Sequence, residues 1–149
     1  MTPLTDAPKS LIIAVAGDLF AIPVHVVCDI LDLLPVTGVP TARPFVNGLI
    51  NVRGRVVPLM DLGLKIGLPP AIATPDSRFV VIEVDIAGDN TLVALRADKV
   101  HEVAEFEMVM AEEIPRIGMR CRAEFVRAVG RRNGRFVMAL DLERLFVGG

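Results

Sequence analysis

Tryptophan and tyrosine are absent from this chain, and its seven phenylalanines are scattered. No aromatic platform for stacking bases or sugars is therefore visible. Lysine is scarce: Lys9, Lys65 and Lys99 are the only three, and every other cation is arginine, which suits paired and interfacial positions better. Sixteen basic against eighteen acidic residues leave a formal charge of −2, which argues against whole-molecule nucleic-acid binding. No apolar run reaches the roughly 18–20 residues that span a bilayer. Residues 11–16 behind Lys9 imitate the core of a signal peptide, but the run is too short and Asp6 precedes it. It reads as a first strand, and the chain as cytoplasmic. Cysteine is limited to Cys28 and Cys121, with no CxxC and no Cys/His cluster, which reads as two thiols in a reducing compartment rather than a disulfide or a metal site.

Histidine is as sparse. His25 and His101 lie in no HExxH, and neither GxSxG, GxxxxGK[ST] nor GxGxxG occurs. Nothing local suggests catalysis, a phosphate cradle, a metal or a cofactor. Asp61 and Asp141 end similar strands, where capping the following turn is the simple role.

What the chain does have is apolar mass. Over 149 residues, 52% are hydrophobic, which excludes disorder and supplies one domain's core. The pattern is short strand, turn, short strand. Strands are expected over residues 11–16 and 19–24, 26–31, 36–40, 49–52 and 56–62, 79–86 and 91–97, and 126–132 and 135–142. Gly17-Asp18, Arg53-Gly54-Arg55, Gly88-Asp89-Asn90 and Asn133-Gly134 serve as turns. Asn-Gly is the strongest of these signals and fits a type I′ turn. Pro58 points to an edge strand or a bulge. Residues 62–68 suit one or two helical turns, and 69–75 a linker. The fold class is mainly β, close to small barrels.

The chain also repeats itself. At a shift of 80, Phe45-Val46, Gly54-Arg55, Val57 and Asp61-Leu62 fall on Phe125-Val126, Gly134-Arg135, Val137 and Asp141-Leu142. At 71, Ala16-Gly17-Asp18 falls on Ala87-Gly88-Asp89, and at 73, Val27-x-Asp29-Ile30 falls on Val100-x-Glu102-Val103. Two copies of about 75 residues suggest two similar β subdomains. Charge is uneven late in the chain: residues 102–113 carry five Glu and no cation, while 114–135 carry seven Arg against Glu124. A solvated or internally paired face is one reading; a surface for an acidic partner is another.

One block is more specific. Phe20-Ala21-Ile22-Pro23-Val24, Val27-x-Asp29-Ile30-Leu31, Val39-Pro40 and Pro44-Phe45-Val46-x-Gly48-Leu49-Ile50-Asn51-Val52-Arg53-Gly54-x-Val56-Val57-Pro58-Leu59-x-Asp61-Leu62 together resemble the CheW-like coupling proteins of bacterial chemotaxis. The resemblance covers residues 10–147 as a single domain, with a subdomain boundary near 69–77 and residues 1–9 as a flexible N-terminus. It implies two pseudo-repeated five-stranded SH3-like β-barrels sharing one core. It also implies a non-enzymatic adaptor at receptor arrays, joining the regulatory domain of a CheA-type histidine kinase to the cytoplasmic tip of a methyl-accepting chemoreceptor. No cofactor, nucleic acid or membrane insertion is implied. A twitching or developmental signalling pathway is the alternative setting for the same module. By resemblance, Val27 and Ile30 belong to a receptor groove, and the repeat offers Val100 and Val103 as counterparts; plain core packing is the competing role for all four. The matching acidic residue and arginine of the family pair with each other, so Asp29 and Arg53 are expected to form a partly buried ion pair, with Arg53 in a block that should be strand; solvation of Arg53 at the turn beside Gly54 is the alternative. Asp29 stands where Glu is usual, so the pair is expected to be stretched or water-bridged. Gly48, Asn51 and Gly54 are the remaining motif positions, and Gly63 stands where the family often has Arg.

Overall fold

Tight turns set the local structure. The computed structural model describes residues 9–39, 46–69, 72–86, 88–105, 108–110 and 121–146. The expected flexible N-terminus, apart from Lys9, lies outside the described residues. So do Pro40, Pro44, Phe45 and Ala87 of the motif and repeat, and Glu107, Glu112, Glu113, Arg116 and Arg120 of the charged stretches. Among the described residues eleven strands follow one another: β1 (Ser10–Val15), β2 (Asp18–Pro23), β3 (Val27–Leu31), β4 (Val46–Val52), β5 (Arg55–Met60), β6 (Arg78–Ile86), β7 (Asp89–Ala97), β8 (Lys99–Ala104), β9 (Met108–Met110), β10 (Val126–Arg132) and β11 (Arg135–Leu140). Helices α1 (Leu62–Ile66) and α2 (Leu142–Phe146) are single short turns after β5 and β11. Among the described residues, three two-residue turns hold both residues at positive φ: Ala16-Gly17 (52° and 85°), Arg53-Gly54 (53° and 84°) and Asn133-Gly134 (50° and 79°). That is type I′ geometry, whose twist matches the flanking strands.

The two helices start alike. The Asp61 carboxylate accepts the Leu64 N–H at 3.1 Å, and the Asp141 carboxylate accepts the Arg144 N–H at 3.1 Å. Each aspartate thus satisfies one of the free donors of its helix start.

The strands form two open, mixed sheets. One has the order β8-β1-β2-β11-β10-β9 and the other β3-β6-β7-β5-β4. All neighbours are antiparallel except β2 with β11 and β5 with β7. The expected barrels are therefore not closed by continuous ladders. Each sheet instead curls until the chain leaving one edge strand reaches the other edge. Beyond β3, Thr37 exchanges two hydrogen bonds with Leu49 of β4, at 2.9 and 2.8 Å. Beyond β8, β9 pairs with β10. Of the strand expected over 36–40, the described residues contribute only that Thr37 bridge. Pro58, expected at an edge or bulge, lies in β5, second from the edge. It falls just before the β7 pairing, which takes Leu59 and Met60, and beside the β4 bulge between Val46 and Gly48.

The sequence repeat explains the two sheets in an unexpected way. Match β1, β2, β3, β4 and β5 with β6, β7, β8, β10 and β11. The order β8-β1-β2-β11-β10 then becomes β3-β6-β7-β5-β4, which is the second sheet. Yet neither sheet comes from one copy. Residues 69–77 divide the copies along the chain, but each sheet takes a hairpin from one side of that segment and at least three strands from the other.

Strand alternation assigns each sheet two buried faces. Leu11, Ile13, Val15, Phe20 and Ile22 of the first sheet meet Val80, Ile82, Val84, Val93 and Leu95 of the second in one shared core. The residues between them point away. Ile12, Leu19 and Ala21 pack with Ala128, Val137 and Ala139 beyond the first sheet. Phe79, Val81 and Ala94 pack with Ile50, Val52, Val57 and Leu59 beyond the second. Burial on both faces is why β1, β2 and β6 read as nearly continuous apolar runs.

Candidate docking rims

Edge strands carry the candidate site. β3 borders the second sheet and β8 the first. In a regular strand, residues three apart point to opposite faces, so Val27 and Ile30 could not share one. A bulge changes this. Val27 is opposite Ile82 and Asp29 opposite Val81, which leaves Cys28 as the extra residue. Ile30 is then opposite Val80, and both Val80 and Ile82 face the shared core. Val27 and Ile30 therefore lie on the shared-core side together. β8 has the same device: Val100 is opposite Ile13 and Val103 opposite Leu11, with two residues facing Ile12. Val100 and Val103 thus share the equivalent side of their own sheet.

On each strand the earlier residue of the two packs inward and its companion does not. Val27 and Val100 are partly buried against the shared core. Ile30 is 42% exposed and Val103 47% exposed. Both rims open on one core and present an apolar residue beside it. The four candidates are thus divided: core packing accounts for Val27 and Val100 in part, but not for Ile30 or Val103.

The ion pair is direct. Arg53 Nη2 lies 3.0 Å from Asp29 Oδ2, a contact distance rather than a stretched one, and the other carboxylate oxygen accepts the Ile30 N–H at 3.0 Å. A second expectation also needs correction. Arg53 is not in a strand but is the first residue of the β4–β5 turn, and its side chain is 79% exposed against 22% for Asp29. Its placement at the hairpin tip is the reason: the guanidinium reaches across from solvent rather than from within the sheet. The pair joins the tip beyond β5 to the opposite edge strand β3, and so spans the curled sheet. The other sheet has a counterpart that spacing alone only half indicated. Glu102 of β8 pairs with Arg132 at the end of β10. Glu102 is the repeat partner of Asp29, but Arg132 precedes Asn133, the repeat partner of Arg53, by one residue. A shift-by-80 comparison therefore misses it.

The other motif residues hold this geometry. Asn51 Oδ1 accepts the Gly54 N–H at 2.9 Å and ties the turn that carries Arg53. Gly48 has φ 145°, and a Cβ there would stand 2.2 Å from the Thr37 carbonyl oxygen. Only glycine lets residues 36–37 approach β4 so closely. Cys28, in the β3 bulge, is exposed, and partial burial followed by the nearby Glu83 carboxylate pushes its thiol pKa up. Cys121 is buried with Sγ 3.6 Å from Met138 Sδ. Neither cysteine is in a disulfide. Among the described residues no cluster of three or more His, Cys, Asp or Glu is arranged to hold a metal ion. None of their helices is long and apolar enough to cross a membrane.

The late arginines are partly engaged. Arg135 Nη2 donates to the Gly17 carbonyl at 2.8 Å, Arg122 pairs with Glu124, and the Arg131 guanidinium sits 5.2 Å over the Phe136 ring. Internal pairing thus accounts for much of the described part of this stretch.

Fold and rims together define a β-sheet module whose two bulged edge strands leave apolar residues exposed. Comparison with known sequences gives the family. The CheW-like domain matches over residues 9–148, so this chain belongs to the CheW-like family and is a CheW-type chemotaxis scaffold. It is similar to the probable chemotaxis protein CheW of Rhizobium etli, 28% identical over 96% of this chain and 90% of that protein. It is also similar to the chemotaxis protein CheW of Helicobacter pylori, 25% identical over 85% of this chain and 73% of that protein. The fold matches the crystal structure of scaffolding protein TtCheW from Thermoanaerobacter tengcongensis with a TM-score of 0.78 and 24% identity, over 95% of this chain and 93% of that one.

Proposed function

We propose that this protein is a non-enzymatic cytoplasmic adaptor that joins the cytoplasmic tip of a chemoreceptor to the regulatory domain of a CheA-type histidine kinase. Family membership supports the partners. The observation that carries the receptor half is the bulged edge strands, which keep Ile30 and Val103 exposed beside the core that Val27 and Val100 help cover. A receptor tip is a helical hairpin, and apolar residues on a rim suit the apolar stripe of a helix. Coupling then follows from differential binding: the adaptor biases the kinase only if it favours one geometry of the complex. The Asp29–Arg53 pair fixes the β4–β5 tip against the β3 rim, so that contacts made at one are felt at the other.

Co-sedimentation with receptor signalling fragments and kinase tests this. Wild-type protein is expected to bring all three components down together. Ile30→Glu and Val103→Glu should each weaken receptor recovery at least tenfold while the melting temperature moves by no more than a few degrees. Unchanged receptor recovery in both variants would remove the rims from the receptor site.

A further inference from the structure

The crossed sheets leave each half of the chain with an empty seat that only the other half fills. In the second sheet the first half contributes β3, β4 and β5, and the β6–β7 hairpin of the second half stands between β3 and β5. The hairpin is paired along both flanks, from Val27↔Ile82 to Leu31↔Phe79 on one side and through Leu59↔Ala94 and Met60↔Leu95 on the other. Without it, β3 and β5 would face each other across about 14 Å, three strand spacings, with no ladder to close the gap. The first sheet repeats the arrangement in reverse. The β1–β2 hairpin of the first half sits between β8 and β11 of the second, paired from Ser10↔Ala104 to Ala14↔Lys99 and from Val137↔Leu19 to Ala139↔Ala21. The apolar clusters follow the same rule. Ile12, Leu19 and Ala21 from the first half pack with Ala128, Val137 and Ala139 from the second, and Phe79, Val81 and Ala94 from the second pack with Ile50, Val57 and Leu59 from the first.

Every one of these contacts joins one half to the other, and only the segment between β5–α1 and β6 makes the two halves the same molecule. We infer that the seat between β3 and β5 accepts the β6–β7 hairpin of a second copy of this chain, and the seat between β8 and β11 the second copy's β1–β2 hairpin. Two chains would thereby exchange halves and form a closed dimer with the monomer's own contacts. No new interface is required. The Thr74-to-Ser77 turn that leads into β6 is held by its own hydrogen bonds, Ser77 N–H to the Thr74 carbonyl at 3.0 Å and Thr74 N–H to Ser77 Oγ at 2.9 Å. It need not change on exchange.

The experiment uses the full chain with a protease recognition site at Ile72-Ala73, where Ile72 is 82% exposed. Heavy-isotope and unlabelled protein are mixed, unfolded, refolded at high concentration and separated by size, and the dimer fraction is then cut. Exchange predicts that cutting both linkers turns the dimer into particles of monomer mass, and that native mass spectrometry finds particles with one heavy and one light half. Cut monomer should stay a single particle, because its halves complete each other's sheets. A side-by-side dimer would yield only all-heavy and all-light particles. That result, a chain that refolds only as monomer at every concentration, or cut monomer that falls apart into two folded fragments, would overturn the inference. None of these outcomes bears on which receptor or kinase the protein serves.

Discussion

Replacing Gly48 by alanine puts the closure of the second sheet to the test. A Cβ on Gly48 would stand 2.2 Å from the Thr37 carbonyl oxygen and 2.9 Å from its carbon, both backbone atoms that cannot rotate away. The residue also sits at φ 145°, where L side chains are strained. Strain of this kind costs about 1–3 kcal/mol. Relief requires residues 36–37 to move off β4, which breaks the two Thr37–Leu49 hydrogen bonds, each worth about 0.5–1.5 kcal/mol net. The total is about 2–6 kcal/mol, and at roughly 2–4 °C per kcal/mol for a chain of this size the melting temperature should fall by about 5–20 °C. Two glycines calibrate the result. Gly54→Ala meets nothing within 4 Å but keeps φ 84°, so it should cost only about 1–2 kcal/mol. Gly38→Ala meets nothing within 4 Å and has no positive φ, so it should lie within about 0.5 kcal/mol of wild type. Thermal unfolding ranks the three, and amide exchange reports the bridge, since the Leu49 N–H should lose protection only in Gly48→Ala. If Gly48→Ala melts with Gly38→Ala and Leu49 stays protected, the close approach of residues 36–37 to β4 is wrong.

Other outcomes follow from the same structure. A double-mutant cycle of Arg53→Ala and Asp29→Ala should give a coupling of about 0.2–1 kcal/mol, as for exposed pairs, while Arg53→Ala loses kinase activation in a reconstituted array; a coupling above about 3 kcal/mol, typical of buried pairs, would contradict the exposed turn position. A thiol reagent should modify Cys28 in the folded protein and Cys121 only after denaturation, and fewer than two reacting groups in denatured, unreduced protein would show that the cysteines are bridged or oxidised. Burial, then Lys99, Arg132 and Arg135, hold the His101 pKa below its usual value. The unfolded chain therefore takes up that proton first as pH falls, and stability should decline as pH drops below about 6.5. His101→Gln should flatten that part of the profile, and an unchanged slope would count against the cationic surroundings.

Local chemistry in the sequence was enough for much of this molecule. Turn residues marked the hairpins, Asp61 and Asp141 marked caps at the ends of matching strands, and the ordered motif from Gly48 to Leu62 marked the family; the helix after Asp141 departs from the expected strand, which runs through Leu142. The repeat marked two copies, because matched side chains survive in a matched order. The sequence also brought Asp29 and Arg53 together through the resemblance and marked Arg53-Gly54-Arg55 as a turn, but it could not see that the guanidinium reaches β3 from solvent rather than from within the sheet. Nor could strand period reveal that Val27 shares a face with Ile30, or Val100 with Val103. A spacing of three puts such residues on opposite faces unless a bulge intervenes, and bulges depend on the neighbouring strand. Tertiary structure alone decided which hairpin enters which sheet. β1, β2 and β6 are apolar nearly throughout, so their side chains by themselves do not name the sheet they join. The ladders of β1 with β8, β2 with β11, β6 with β3 and β7 with β5 seat each hairpin in the other half's sheet, and the shared core then takes Leu11, Ile13 and Val15 from one hairpin and Val80, Ile82 and Val84 from the other.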